Sequence, residues 1–246
     1  MNELTEPSQA PDDGSAGGNG RYPDGRAFAT GDMKADWDAR AKACAKEYVL
    51  TGYGDKPDEA FWRSADGLWE AWKGYMGPDS VVVDLGAGIG RVSLEIAPRV
   101  KRLYAVDVSA EMLRQARERL DGLDNVVFYE NDGYSLERIP TRSVDFVYSM
   151  LVLHHAPESA LRANLREVAR VLKPGGRFWF TIGWRKEGEP KRSINERDTF
   201  EGRAYTRSEL RRALGRGMKI VAVSPPQGPS SFFREVLARR RRYGLL

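Results

Sequence analysis

Cysteine is almost missing from this chain of 246 residues: Cys44 stands alone. One thiol closes no intrachain disulfide, builds no multi-cysteine metal cluster and rules out cysteine-held iron–sulfur chemistry. Histidine is nearly as scarce, with only the adjacent pair His154 and His155. No apolar run reaches the roughly 18 residues that a membrane-spanning helix needs. The opening residues, MNELTEPSQAPDDGSAGG, lack the basic start and apolar core of a secretory signal, so a cytoplasmic protein is expected. Charge of one sign is not in large excess, since the net is +4, but it is unevenly spread. Glu3, Glu6, Asp12, Asp13 and Asp24 face only Arg21 and Arg26 near the start, whereas Arg239 to Arg242 form a basic run near the end. Aromatic residues are not interleaved with those arginines, so the run reads as a solvated strand end and nucleic acid is not expected as a partner.

What is present is a chain that is 41% hydrophobic with six tryptophans, enough for one α/β domain with additions. Residues 1–30 are rich in Pro, Gly, Ser, Asp and Asn and are expected to form a disordered tail. Residues 31–77 are expected to form a helical cap. Trp37, Ala41, Cys44, Ala45 and Tyr48 share one helical face. A second helix is expected from Pro57 to about Met76, striped by Phe61, Ala65, Leu68 and Trp72, widened by Trp62 and Trp69, and closed by Gly77-Pro78.

From residue 78 to 246 strand and helix signals alternate, as a parallel sheet with crossover helices requires. Strands are expected at Ser80–Asp84, Leu103–Val108, Asn125–Glu130, Val144–Leu151, Arg177–Ile182 and Met218–Val223. Helices are expected at Arg91–Ala97, at Ala110–Leu120 behind a Ser109 cap, and at Pro157–Leu172. A further helix at Arg207–Leu214 opens on a Thr206–Glu209 capping box. Gly183 to Ala204 reads as a long charged loop whose basic residues, Arg185, Lys186, Lys191, Arg192, Arg197 and Arg203, suit a solvated face or an anionic substrate. Pro225-Pro226 and Gly228-Pro229 mark a turn, and Ser231–Arg239 has both helical and extended features.

The chemistry concentrates at the ends of these strands. In VVVDLGAGIGR, three valines lead to Asp84, and Gly86, Gly88 and Gly90 follow in a turn that opens a helix. Missing Cβ atoms let backbone approach a ligand there, and the helix start offers free N–H groups. The spacing is GxGxG and lacks the GxGxxG rhythm of dinucleotide binders. Asp107 ends the next strand about twenty residues on, where a carboxylate can accept both hydroxyls of a ribose. Asp132 and Gly133 follow the third strand, and Ser149, Met150 and Leu151 end the fourth.

The run Asp84-Leu85-Gly86-Ala87-Gly88-Ile89-Gly90 resembles motif I of the class I S-adenosylmethionine (SAM)-dependent methyltransferases. The segments SMLVLHHAP and REVARVLKPGG are a second local match, and Phe61-Trp62-Arg63-Ser64 is a looser one to the substrate-capping helices of bacterial members. The resemblance spans roughly Ser80 to Val223. It implies a Rossmann-like α/β fold, a seven-stranded, mostly parallel sheet in the order 3-2-1-4-5-7-6, ending on an antiparallel strand at Ser231–Arg239. It also implies SAM as cofactor, with Asp84 near its methionine end and Gly86, Gly88 and Gly90 around methionine and ribose. Asp107 would hold the ribose and Asp132 with Gly133 the adenine, while Met150 would border the methyl donor. Tyr134 and Ser135 are adenine-packing candidates, and Tyr48 and Trp37 are candidates for a lid.

No Asn-Pro-Pro-Tyr or Asp-Pro-Pro-Tyr follows the fourth strand, which disfavours methylation of planar amide or base nitrogens, and no dedicated metal-ligand set is present. The expectation is methyl transfer to O or N of a small-molecule acceptor, driven mainly by alignment and exclusion of water. His155, and after it His154, are the candidates for a base if an acceptor proton must leave early. An NAD-dependent oxidoreductase and a non-catalytic SAM-binding module are the rival readings. An RNA or protein methyltransferase is a lesser one.

Overall fold

Valine-rich strands buried on both faces and helices apolar on one face stack into three layers. The computed structural model describes residues 30–195, 197–225 and 232–242. The expected tail lies outside these residues except for Thr30, as do Pro226, Gly228 and Pro229 of the expected turn and Ser231. Before the sheet come α1 (Met33–Val49), α2 (Asp58–Arg63) and α3 (Leu68–Trp72). Then follow β1 (Val81–Leu85), α4 (Arg91–Ile96), β2 (Arg102–Asp107), α5 (Ala110–Arg119), β3 (Val126–Glu130), β4 (Val144–Ser149) and α6 (Glu158–Val171). The rest is β5 (Leu172–Trp184), β6 (Ala204–Tyr205), α7 (Arg207–Leu214), β7 (Met218–Val223) and β8 (Phe233–Arg240).

The strands form one sheet in the order β3-β2-β1-β4-β5-β8-β7, and β6 pairs with the end of β5. All pairings are parallel except those of β8, which runs antiparallel to β5 and β7. This is the Rossmann-like order expected from the sequence, with one additional short strand. Gly183 explains the addition: a Cβ there would meet the Arg203 carbonyl oxygen at 2.4 Å, so only glycine lets the returning chain close onto β5. The ambiguous segment near the end is extended, as expected, because its apolar residues fill the slot between β5 and β7.

Two apolar layers flank the sheet. On one face, Leu161, Leu165 and Val168 of α6 and Leu210 and Leu214 of α7 pack on Val83, Val106, Val147, Phe178 and Phe180. On the other, Trp72 and Met76 join Val92, Ile96, Phe146, Tyr148 and Trp179. The Trp72 ring lies 4.7 Å from that of Trp179 and 5.1 Å from that of Tyr148. The single helix expected from Pro57 to Met76 is two helices, because Gly67 adopts φ +85° and breaks the run. Phe61, Ala65 and Trp72 of the expected stripe are buried nonetheless.

The α1 helix lies across the carboxyl end of the sheet. Its N-cap Asp32 accepts from the Ala35 amide, and Cys44 is extended, which kinks it. Asp38 accepts hydrogen bonds from Ser109 Oγ at 2.5 Å and the Glu111 amide at 3.1 Å, so a side chain of α1 supplements the cap of α5. Lys34 pairs with Glu130 at the end of β3. Among the described residues, no helix is long and apolar enough to cross a membrane.

Candidate active site

The chain leaves β1 toward β2 on one side and lies against β4 on the other, so the carboxyl end of β1 is a switch point in strand order. A partly enclosed cleft sits there. Its floor is Gly86, Gly88, Asp107, Gly133 and Met150, its roof is Met33, Trp37, Tyr48 and Val49 of α1, and His155 stands at one end. Five of the cofactor-binding candidates read from the sequence, together with His155, thus meet around one cavity.

Asp107 is the polar centre of the floor. One carboxylate oxygen accepts the Gly88 amide at 2.8 Å and the other the Ser109 amide at 2.9 Å. Each oxygen keeps a further lone pair for a hydroxyl donor. Burial raises its pKa to about 6, against the lowering effect of the backbone donors. The glycines serve roof as well as floor. Gly88 has φ +55° and its missing Cβ leaves room for Val49, which would otherwise lie at 2.9 Å; Gly133 likewise accommodates Met33. At Gly86 the neighbour is Val152, 2.4 Å from an added Cβ.

The remaining candidates do not line the cleft. Asp84 is buried behind the glycine turn, accepting from Ser93 Oγ at 2.7 Å and Tyr148 Oη at 2.9 Å. Burial pushes its pKa to about 7, only partly offset by those two donors. Gly90, with φ +85°, is the N-cap of α4 and packs near Leu120. Asp132 is exposed and holds the turn amides of Tyr134 and Ser135 at 2.8 and 2.6 Å. His154 is buried between the rings of His155 and Phe233, away from the cleft. Burial, and then His155, hold its pKa well below the ordinary value.

Other polar groups were not evident from the sequence. Asn164 interrupts the apolar stripe of α6 and reaches the cleft, donating to the Gly133 carbonyl at 2.7 Å. Among the described residues, its buried Oδ1 has no hydrogen-bond donor. A polar residue inside an apolar stripe was the available signal. Arg91, first residue of α4, is buried against Ser64 Oγ at 3.2 Å and Met150 Sδ at 3.1 Å, which places a cation behind the β1–β4 end of the cleft.

At the other end Leu151 follows β4 with φ +58°, its amide held by Thr181 Oγ1 at 2.6 Å. That turn carries the chain to His155. His155 Nδ1 lies 2.5 Å from the Phe200 carbonyl oxygen, and the two rings stack at 4.9 Å. Burial is the main reason that its pKa falls to about 3. Phe200 is held by a buried bridge between α1 and the segment after β5. Thr199 Oγ1 accepts from Arg40 at 2.7 Å and donates to Asp36 at 2.9 Å. Asp36 and Arg40 are an i, i+4 pair buried in α1 beside the apolar stripe, a hint that apolar periodicity alone conceals. The basic loop residues expected to form a solvated face or to greet an anion are largely engaged: Arg185 pairs with Glu209, Lys191 with Glu158, and Arg203 donates to the His155 carbonyl. Among the described residues, no three His, Cys, Asp or Glu side chains gather to hold a metal ion.

A mostly parallel sheet in this order, with a glycine turn and a carboxylate at its switch point, is a Rossmann-like fold. Residues 82–176 match the family described as "Methyltransferase domain". The chain is 39% identical over 111 residues to Methyltransferase gedG of Aspergillus terreus, covering 45% of this chain and 34% of that protein. It is 35% identical over 141 residues to Dimethylglycine N-methyltransferase of Parasynechococcus marenigrum, covering 55% and 50%. The matches thus span a third to a half of these relatives. The solved DhpI–SAH complex superposes with a TM-score of 0.59 at 24% identity, over 87% of this chain and 98% of that one, which establishes likeness of fold. Residues 82–176 thus match a methyltransferase domain, set on a Rossmann-like fold.

Proposed function

We propose that this chain transfers a methyl group from SAM to an oxygen or nitrogen of a small-molecule acceptor. The observation that carries the proposal is the convergence of Gly86, Gly88, Asp107 and Met150 with His155 around one roofed cleft. The residues present suit the cofactor. Asp107 offers free lone pairs to ribose hydroxyls, the orphaned Asn164 Oδ1 beside Gly133 suits an amino donor, and Val106, Val108 and Met112 give apolar walls for a base. Gly86 and Gly88 line the floor with backbone, and Arg91 behind Met150 gives the opposite end a positive field that suits a carboxylate. Asp84, Gly90 and Asp132 act from behind, shaping the turns that present Gly86, Gly88 and Gly133.

When bound, SAM supplies an electrophilic methyl on a sulfonium: the acceptor lone pair forms the new bond to carbon, the C–S pair stays on sulfur, and an O–H or N–H proton goes to solvent. The protein aligns the acceptor and excludes water, which accounts for most of the acceleration expected of such a displacement. His155 lies at the acceptor end, whereas His154 supports it from behind. A polymer substrate is disfavoured by the roof that α1 makes over the floor. Titration of S-adenosylhomocysteine by calorimetry tests the reading. Binding in the micromolar range is expected, weakened by about two orders of magnitude in Asp107→Ala for the loss of charged hydrogen bonds. No heat at millimolar ligand sinks it.

A further inference from the structure

We propose that the acceptor is a planar conjugated molecule carrying a hydroxyl, its ring seated on Trp37 and Tyr48 and its O–H donated to His155 Nε2, with Arg40 and Phe200 excluding cationic amines. The inference rests on the methyl-transfer reading and names the substrate class of the same cleft.

The walls give the shape. Trp37, Tyr48 and His155 line the cleft together, and Phe200 braces all three from behind: its ring stacks on His155 at 12°, meets Tyr48 edge-on at 5.5 Å and lies 6.2 Å from Trp37. Flat aromatic surfaces held in fixed attitudes favour a flat partner.

The charges give the sign. Arg40 is fully buried, its guanidinium carbon 4.8 Å from the Trp37 ring centre and 5.4 Å from that of Phe200. A ring whose quadrupole already faces a guanidinium is a poor cage for a second cation. Around His155 stand Arg40, Arg203, Asp198 and His154. Burial first, then Arg40 and Arg203, disfavour the imidazolium against the opposing Asp198 and the Phe200 carbonyl. Asp36 lies one hydroxyl beyond Arg40, so the guanidiniums stand nearer His155 than that carboxylate does, an arrangement that disfavours an ammonium and favours an oxygen that gains negative charge.

The tautomer gives the polarity of the contact. The Phe200 carbonyl only accepts, so Nδ1 carries the proton and Nε2 is left with a lone pair. Nε2 therefore takes a hydrogen bond from a hydroxyl donor. Because the imidazole stays neutral across the physiological range, this holds without any change of protonation.

Three probes on one skeleton test it, each titrated into protein saturated with S-adenosylhomocysteine: 2-naphthol, 2-methoxynaphthalene and 2-naphthylmethylamine. 2-Naphthol should bind about tenfold or more tighter than the ether, which lacks the donor, and than the amine, which is a cation. Phe200→Leu should weaken 2-naphthol about tenfold and Arg40→Met should strengthen the amine about tenfold, with S-adenosylhomocysteine affinity held within about twofold in both. Should Arg40→Met prove unfolded by circular dichroism, Phe200→Leu and the wild-type ranking decide. An amine that binds as tightly as the naphthol, an unaltered Phe200→Leu, or no uptake of any probe overturns the proposal while the methyl-transfer reading stands. Failure to bind S-adenosylhomocysteine at all overturns both.

Discussion

Asp107 does two things with one carboxylate: it ties Gly88 and Ser109 to the end of β2, and it keeps lone pairs turned to the cleft. Its raised pKa of about 6, caused by burial, makes the second task pH-dependent. A hydroxyl pair can be accepted only by the ionised form. Affinity for S-adenosylhomocysteine should therefore be level above pH 6 and fall as pH drops through 6, by up to about tenfold per unit. Calorimetry between pH 5 and 8 checks this; a flat profile removes Asp107 from the ribose. The ligand-free fold responds in the opposite sense. A carboxyl whose folded pKa is raised contributes stability below its unfolded value, and that contribution is lost as pH rises through about 6. At this scale the sequence pointed to Asp107, Gly86, Gly88 and Gly133, which line the cleft, because strand ends and glycine turns leave a local signature, whereas Gly90 lies behind it. It did not disclose Arg40, Thr199 or Asn164. What makes those matter is a partner more than thirty, and for the Arg40–Thr199 pair more than a hundred and fifty, residues away, and no local pattern encodes such a pairing.

At the scale of elements, α1 and the segment after β5 are joined by the Asp36–Thr199–Arg40 bridge. Replacing Thr199 by Val keeps the shape but leaves a buried carboxylate and guanidinium each one partner short. The cost should be about 1–3 kcal/mol, read from denaturant unfolding. Amide exchange over residues 33–49 should quicken by more than it does in α6; equal effects everywhere would mean that the bridge does not bind these two elements in particular. Element boundaries were legible where capping chemistry marked them, as at Thr206–Glu209, whose capping box is present as read. They failed where one glycine decided between a long helix and two short ones. Gly67 lies off the apolar stripe, so the periodicity of Phe61, Ala65 and Trp72 survives the break and hides it. The Gly183–β6 contact was equally hidden, since a two-residue strand has no periodicity to detect.

For the whole molecule, the order of strands followed from alternating strand and helix signals together with the resemblance at Asp84–Gly90. Neither signal alone would have placed the antiparallel β8. Trp72 ties the segment before the sheet to the sheet itself, packed on Phe146, Tyr148 and Trp179. Trp72→Ala should cost about 3–5 kcal/mol, measured as a fall in the denaturant midpoint of a single cooperative transition. A second, separate transition for residues before the sheet would show instead that the roof folds on its own.

The roof over the cleft comes from residues 33–49, while the floor and His155 lie within 82–176, the stretch that matches the methyltransferase family model. Inheritance can therefore preserve the floor while the roof is rewritten. Kinship across the floor carries no information about what the roof admits. Two chains that share it are free to serve different metabolisms.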